Sequence, residues 1–228
     1  MFKIESKMKS KLIIFIAFVA LSISNVFAQN EQDLQSLSIF SEYVKSKNYE
    51  AAYSPWMELR NRNPRFNKAI FVYGERILKH KIKTSTAAEQ VAFINDMIKL
   101  WEERAEFFPA VTPKGTYMAK ACQLKYDNRK ALGLTKGELY TAFGEAYTTD
   151  SKTFTNPKSL YTYFSLVVDM YDAGKIPAQD LFNMYDEITE KVESEVKNYT
   201  NKRNAFLNED GEPKELSKSE ASKFKSYN

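Results

Sequence analysis

The stretch from residue 48 to residue 77 constrains the fold more than any other part of this chain. Within it, Ala52, Trp56 and Leu59 follow one another at steps of four and three residues, which places their side chains on one face of a helix. Pro64 ends this pattern. A second apolar face then follows, made of Ile70, Tyr73, Gly74 and Ile77. The spacing predicts two helices packed against each other, and such a pair must stack on neighbours to bury its apolar face.

A tryptophan and a proline separated by eight residues occur twice. Trp56 precedes Pro64 by this interval, and Trp101 precedes Pro109 by the same interval. The two tryptophans lie 45 residues apart, whereas a common two-helix repeat has a period of about 34 residues. We place the additional residues around Lys79–Ala88, where they lengthen the turn and the second helix of the second unit.

Further helix starts are marked by local chemistry. Three capping boxes and one Asn-Pro pair occur at Thr86–Glu89, Thr135–Glu138, Ser217–Glu220 and Asn156–Pro157. The 228 residues include only seven glycines and seven prolines, and no convincing strand pattern is present. The sequence therefore predicts an all-α fold of about four stacked antiparallel helix hairpins in residues 29–207. A charged linker and the start of a further helix follow in residues 208–228.

The last hairpin is predicted on either side of a turn at Gly174. Its first helix has an expected inner face of Leu160, Phe164, Val167 and Tyr171. Its second, longer helix has an expected buried stripe of Leu181, Tyr185, Ile188, Val192, Val196 and Tyr199.

Residues 1–28 have the organisation of a secretory signal. Four lysines precede an uncharged apolar run from Leu12 to Ile23, and Ala28 supplies a small residue before a cleavage point. The run has 12 residues, whereas a membrane span needs about 20. We therefore expect cleavage after Ala28, an exported protein and no membrane span in the mature chain. Translation from Met1 or from Met8 gives a signal of the same design.

The basic character of the chain belongs to this segment. Removing residues 1–28 lowers the number of basic residues from 33 to 29 and of acidic residues from 29 to 28, so the net charge falls from +4 to +1. Charge thus gives no reason to expect nucleic-acid binding. Cys122 is the only cysteine, which excludes an intramolecular disulfide, and its apolar neighbours predict a core thiol.

No catalytic, metal-binding or cofactor-binding constellation is recognisable. His80 is the only histidine and lies between two lysines, so we expect a solvated residue at a helix end. Acidic clusters, each interleaved with lysine or arginine and expected to be solvated, occur at Glu102, Glu103 and Glu106, at Asp169 and Asp172, and at Glu190, Glu193 and Glu195. We therefore expect a protein that is not an enzyme and that has no cofactor.

The chain resembles the tetratricopeptide-repeat family. The residues at the family's signature positions in the first unit are Ile39, Tyr43, Ala52, Trp56, Leu59 and Pro64. Those in the second unit are Ile70, Tyr73, Gly74, Ile77, Trp101 and Pro109. The resemblance covers residues 32–109 and weakens to a helix-hairpin pattern from residue 113 to residue 199. Phe40 departs from it, because the family prefers glycine there.

The amino-acid sequence of residues 47–56 and 72–77 also resembles that of exported repeat proteins of Bacteroidota. This resemblance implies a periplasmic or cell-envelope location and a concave groove that binds proteins or peptides. In this family the first helices line the groove, which implies the partner-binding residues Tyr43, Asn67, Tyr73, Tyr117 and Tyr163.

The sequence thus predicts an exported helical-repeat scaffold that binds a protein or peptide partner. One alternative is the N-terminal stack of a larger envelope protein. A second is a small-ligand-binding or hydrolytic protein that uses groove carboxylates such as Glu102 and Asp169.

Overall fold

The computed structural model describes residues 30–226, and this part of the chain is built from α-helices without a β-strand. The helices are α1 (residues 30–45), α2 (Tyr49–Arg62), α3 (Ala69–Thr84), α4 (Ala87–Phe107), α5 (Lys114–Asp127), α6 (Arg129–Leu132), α7 (Lys136–Thr149), α8 (Pro157–Asp172), α9 (Ala178–Asn204) and α10 (Lys218–Lys225), with a 3-10 turn at Pro109–Val111. The predicted all-α fold class is confirmed. The predicted signal segment, residues 1–28, lies outside the described residues.

Two compact units make up the chain. The first unit ends at Pro109, and the second begins at Ala110. The predicted repeat domain of residues 29–207 spans both units. None of the helices between residues 30 and 226 is both long and apolar enough to cross a membrane.

In the first unit, α3 packs between α2 and α4 and also contacts α1. The Phe40 ring of α1 meets the Tyr73 ring of α3 edge-on, with 6.2 Å between ring centres. At the other end of α1, the fully buried Asp33 carboxylate accepts hydrogen bonds from Arg62 and Asn63, both at 2.8 Å. Helix α1 thus contacts its own partner, α2, and the first helix of the next pair, α3.

The second unit has the same order of contacts. Helix α5 packs on α7, α7 on α8 and α8 on α9, and the first helices α5 and α8 also touch. Ser159 of α8 donates a hydrogen bond to the Ala119 carbonyl of α5 at 3.2 Å. Adjacent helix pairs with contacts between successive first helices are the arrangement expected of a helical-repeat fold.

Three second helices end with the same backbone geometry. The residue after each helix has φ and ψ of −150° and 72° at Asn63, −133° and 56° at Phe108, and −156° and 71° at Asp150. The residues seven positions earlier are Trp56, Trp101 and Phe143. Phe143 therefore takes the place of tryptophan in the second unit, where no tryptophan-proline interval marks the position.

The two tryptophans both contact α3, Trp56 from the preceding helix and Trp101 from the following one. Trp56 is fully buried on α2, and its Nε1 donates a hydrogen bond to the Ile70 carbonyl at 2.8 Å. Trp101 on α4 is 6% exposed, and its Nε1 donates to Oε2 of Glu75 at 3.0 Å. Trp56 thus contacts the helix that follows its own, whereas Trp101 contacts the helix that precedes its own. The two tryptophans are equivalent in their distance from a helix end of the same geometry. They are not equivalent in the groups that their indole rings contact.

Local start and stop signals behave as predicted. The capping boxes at Thr86, Thr135 and Ser217 all form. The Asn156 side chain accepts a hydrogen bond from the Ser159 N–H at the start of α8. Gly174 has φ of +66° in the turn between α8 and α9, a conformation that glycine adopts without steric cost.

The predicted buried stripe of α9 is wrong. Only Ile188 is buried on this helix, and Leu181 and Met184 pack beside it against the core of the second unit. The other predicted members are exposed: Tyr185 by 54%, Val192 by 38%, Val196 by 58% and Tyr199 by 44%. Tyr171, expected on the inner face of α8, is 40% exposed. Two apolar faces run along α9, and the second unit covers one of them.

Candidate partner-binding surface

The residues predicted to line a groove on the first unit have different surroundings. Tyr43 of α1 is 38% exposed. Asn67 is exposed, and its side chain accepts a hydrogen bond from the Ala69 N–H at 2.9 Å at the start of α3. Tyr73 is half-buried, and the guanidinium of Arg76 lies 5.6 Å from its ring centre. Tyr43 therefore offers the more accessible of the two tyrosine rings.

The two predicted residues of the second unit are less accessible. Tyr117 of α5 is half-buried. Tyr163 of α8 is 4% exposed, and its ring stacks on Phe143 with 6.1 Å between ring centres and a 12° interplanar angle. Tyr163 also contacts Tyr147 of α7. It is a core residue that holds α8 on α7, and it offers a partner little surface.

Most of the exposed large apolar side chains of the second unit lie on α8 and α9. Both helices present apolar side chains to solvent at steps of three, four or seven residues. We name this surface the α8–α9 face, and it consists of Tyr161, Phe164, Val168 and Tyr171 of α8 and Phe182, Tyr185, Val192 and Val196 of α9. The rings of Phe164 and Tyr185 contact each other with 5.9 Å between centres, which joins the two rows into one surface.

The α8–α9 face is large for the surface of a folded unit. Tyr161 is 75% exposed, Phe182 61%, Tyr185 54% and Tyr171 40%. Because an aromatic side chain has about 150–250 Å² to bury, these four rings alone expose on the order of 450 Å². An apolar patch of several hundred Å² commonly marks an interaction site.

On two other helix pairs, α1–α2 and α5–α7, the corresponding surface is covered by a helix. In the first unit α3 lies against both α1 and α2, with Tyr73 on Phe40 and Gly74 on the Trp56 ring. In the second unit α8 lies against both α5 and α7. By this order the α8–α9 face is the position of the next helix, and the exposure of its aromatic rings shows that the described residues leave it uncovered.

A row of carboxylates borders the α8–α9 face along α9. Asp186, Glu190 and Glu193 are exposed and follow one another at steps of four and three residues. None of the three forms an ion pair within residues 30–226. Residues 178–195 contain six carboxylates and one lysine, whereas residues 196–204 contain three basic residues and no carboxylate. The acidic border therefore accompanies only the part of α9 that begins at the turn from α8.

A small open cleft lies on another side of α9. Its volume is about 230 Å³, and it is lined by Tyr140, Val167, Asp180, Asn183, Met184 and Glu187. Burial, together with the charge of Glu187, raises the pKa of the nearby Tyr147 to about 12. A phenol with this pKa stays protonated at neutral pH and is a poor general base. Tyr147 is therefore not expected to act as a base beside this cleft.

The other candidate reactive residues are engaged in structural contacts. His80 is half-buried, its ring is 5.1 Å from that of Tyr49, and its Nε2 is 3.3 Å from Oε1 of Glu50, so the expected solvated position is wrong. Asp169 pairs with Lys136 at 2.6 Å. Among residues 30–226, no three His, Cys, Asp or Glu side chains cluster so that they could hold a metal ion.

Cys122 is expected to be unreactive in the folded protein. The thiol is 6% exposed and donates to the Ala142 carbonyl at 3.4 Å, and burial raises its pKa from 9.0 to about 11. Because the thiolate is the reactive form, we expect modification by a disulfide reagent at pH 8 to be about 100-fold slower than in the denatured chain. Absorbance of the released thiolate measures both rates. Equal rates in the native and denatured protein would contradict a buried thiol.

Comparison of the chain with protein-family models, curated proteins and solved structures finds no match.

Proposed function

We propose that this protein is an exported scaffold of the tetratricopeptide-like class that binds a protein or peptide partner in the cell envelope. The α8–α9 face is the observation that carries the proposal, because it is an exposed surface of aromatic and branched side chains on a rigid helix pair. Burial of such rings is a main source of affinity at protein interfaces.

The chemistry of the surface favours a macromolecular partner over a small substrate. The α8–α9 face extends along two helices, whereas sites for small ligands are concave and enclose most of their ligand. Tyrosine and phenylalanine supply apolar contact area, and the tyrosine hydroxyl groups remain available for hydrogen bonds at the rim. Tyr161 and Phe182, the two most exposed rings, are the expected anchors.

The cellular location of the protein is part of the proposal. The lysine-rich start and the 12-residue apolar run support export followed by cleavage after Ala28. Cell fractionation and N-terminal sequencing of the mature protein test this step. A protein that retains residues 1–28 and stays in the cytoplasm would contradict it.

Site-specific photo-crosslinking in the producing cells tests the function. A photoreactive amino acid replaces Phe182 in one variant and the exposed Glu209, outside the α8–α9 face, in a control variant. We expect a specific crosslinked protein from position 182 that is weak or absent from position 209. The Tyr161→Ser substitution in the first variant should reduce the yield. Equal products from both positions would contradict a binding function for this surface.

A further inference from the structure

We propose that the α8–α9 face binds an amphipathic helix whose polar flank is basic. The inference rests on the proposed function and specifies the chemistry of the partner. Three observations carry it: the way helices pack elsewhere in the protein, the length of the exposed surface, and the charges beside it.

Helix packing within the protein indicates that the partner segment is helical. Helix α3 contacts two preceding helices through the neighbouring residues Tyr73 and Gly74. Helix α8 contacts α7 through Tyr163 and α5 through Ser159. A third helix thus lies on each of these two-helix surfaces, with its side chains in the grooves between those of the other two. The α8–α9 face has the same construction, with two rows of apolar side chains that meet at Phe164 and Tyr185.

The length of the surface sets the length of the partner helix. At about 1.5 Å per residue, the 16 residues of α8 extend about 24 Å and the 27 residues of α9 about 40 Å. Only the first part of α9 therefore has α8 beside it, and the groove between the two helices is about 24 Å long. A helix of about 16 residues fills it, with apolar side chains at positions i, i+3, i+4 and i+7.

The charges beside the groove indicate the sign of the charge on the partner helix. Asp186, Glu190 and Glu193 border Tyr185 and Val192 and have no basic partner within the described residues. Lysine or arginine on the flank of a bound helix would pair with this row, and complementary charge increases both the rate and the specificity of association. Lys191 is the one basic residue of α9 before residue 196, and its ammonium lies 5.8 Å from the Tyr147 ring centre. The other basic residues of α9 lie after residue 196, beyond the part that α8 accompanies.

A second copy of the protein fits the surface less well. Symmetric pairing of two α8–α9 faces would bring the same surface of each copy together. Each copy would add the unpaired carboxylates Asp186, Glu190 and Glu193 to the interface. Like charges placed opposite each other across an interface cost binding free energy. The acidic border therefore favours a basic partner over self-association.

Peptide binding to the purified full-length protein tests the proposal. Three fluorescent 18-residue peptides are compared. The first is a basic amphipathic helix, and the second has the same apolar stripe with glutamate in place of lysine. The third has the composition of the first in a scrambled order that removes the stripe. Fluorescence anisotropy at low and high salt gives the affinities. We expect the basic helix to bind at least tenfold more tightly than either control, and its affinity to fall as salt increases.

Two sets of variants locate the binding site. The substitutions Tyr161→Ser and Phe182→Ser together should weaken binding of the basic helical peptide at least tenfold. The circular dichroism spectrum of the protein should stay unchanged. Reversing the border with Asp186→Lys, Glu190→Lys and Glu193→Lys should reverse the preference between the basic and acidic helices. These three side chains are exposed, so the reversal leaves the core intact. The control is Glu209→Lys, an exposed carboxylate outside the α8–α9 face.

Several outcomes would overturn the inference. Equal binding of the basic and acidic helical peptides, or no effect of charge reversal at the border, would contradict the proposed basic character of the partner. Sedimentation equilibrium that shows a dimer, dissociated by Phe182→Ser, would assign the face to a second copy. A partner crosslinked at position 182 without binding of the basic helix would reject this inference and leave the scaffold function standing. Failure of both experiments would reject both.

Discussion

Replacement of Trp56 by alanine is expected to lower the free energy of unfolding of the first unit by about 3–5 kcal/mol. Trp56 is fully buried, donates a hydrogen bond to the Ile70 carbonyl, and has the Arg60 guanidinium 5.3 Å from its ring centre. A Cβ atom on Gly74 would lie 2.6 Å from the indole, so this ring fills the space between α2 and α3. Truncation would leave a cavity between these helices.

Urea unfolding followed by tryptophan fluorescence measures this loss. The Trp56→Ala variant retains Trp101, which is also in the first unit and reports its unfolding. Leu34→Ala serves as a control in the same unit, because Leu34 is 58% exposed and its truncation should change stability by less than about 0.5 kcal/mol. A loss below about 1 kcal/mol for Trp56→Ala would mean that the indole does not hold the two helices together.

The sequence was most informative where the chemistry is local. The helix predicted from the spacing of Ala52, Trp56 and Leu59 is α2, Tyr49–Arg62, and Pro55 lies within it without ending it. The helix starts at Thr86, Thr135 and Ser217 form the predicted capping boxes. These signals depend on residues three positions apart that satisfy free backbone groups, so no knowledge of distant contacts is needed.

The side of α9 that faces the core depends on distant contacts. Its sequence carries one apolar row through Leu181, Met184 and Ile188 and another through Tyr185 and Val192. Either row satisfies a helical period. The contacts with the core of the second unit select the first row, and the periodicity of α9 contains no information about that choice.

The partners of the buried Arg60 could not be predicted from sequence periodicity. Arg60 is 5% exposed and pairs with Asp96 and Glu103, both at 2.8 Å. Glu103 was expected on a solvated face because its sequence neighbours are polar. The partners lie 36 and 43 residues from Arg60 in the chain, so pairing emerges only when α2 and α4 meet. The position of Arg60 four residues after Trp56, on the buried face of α2, was an available signal.

The α8–α9 face could have been anticipated in part. Tyr161, Phe164, Val168 and Tyr171 recur at steps of three, four and three residues on a helix whose other side also carries a complete apolar row. Two apolar rows on one helix indicate two contact surfaces. The family resemblance instead implied Tyr163 of the same helix as a partner-binding residue, and the structure places that ring in the core.

The Gly115→Ala substitution is expected to destabilise the second unit by about 1–3 kcal/mol, at the upper end of that range. A Cβ atom at this position would lie 2.2 Å from the Asp150 carbonyl oxygen and 2.5 Å from the Phe154 backbone nitrogen. Both are main-chain atoms, so a side-chain rotation cannot relieve the overlap. The Gly115 N–H also donates to Asp150 Oδ2 at 3.0 Å, and hydrogen bonds from Thr153 and Gly115 lower the pKa of Asp150.

The matched control is the same substitution at Gly137 of α7. A Cβ atom there finds only the Thr135 hydroxyl oxygen, at 4.0 Å, so alanine fits and should stabilise the helix by about 0.5–1 kcal/mol relative to glycine. Urea unfolding followed by circular dichroism should therefore give shifts of opposite sign for the two variants. Equal shifts would mean that the start of α5 does not lie against the turn after α7. Opposite shifts would establish that Gly115 is required because the turn after α7, which contains the buried Phe154, lies against the start of α5.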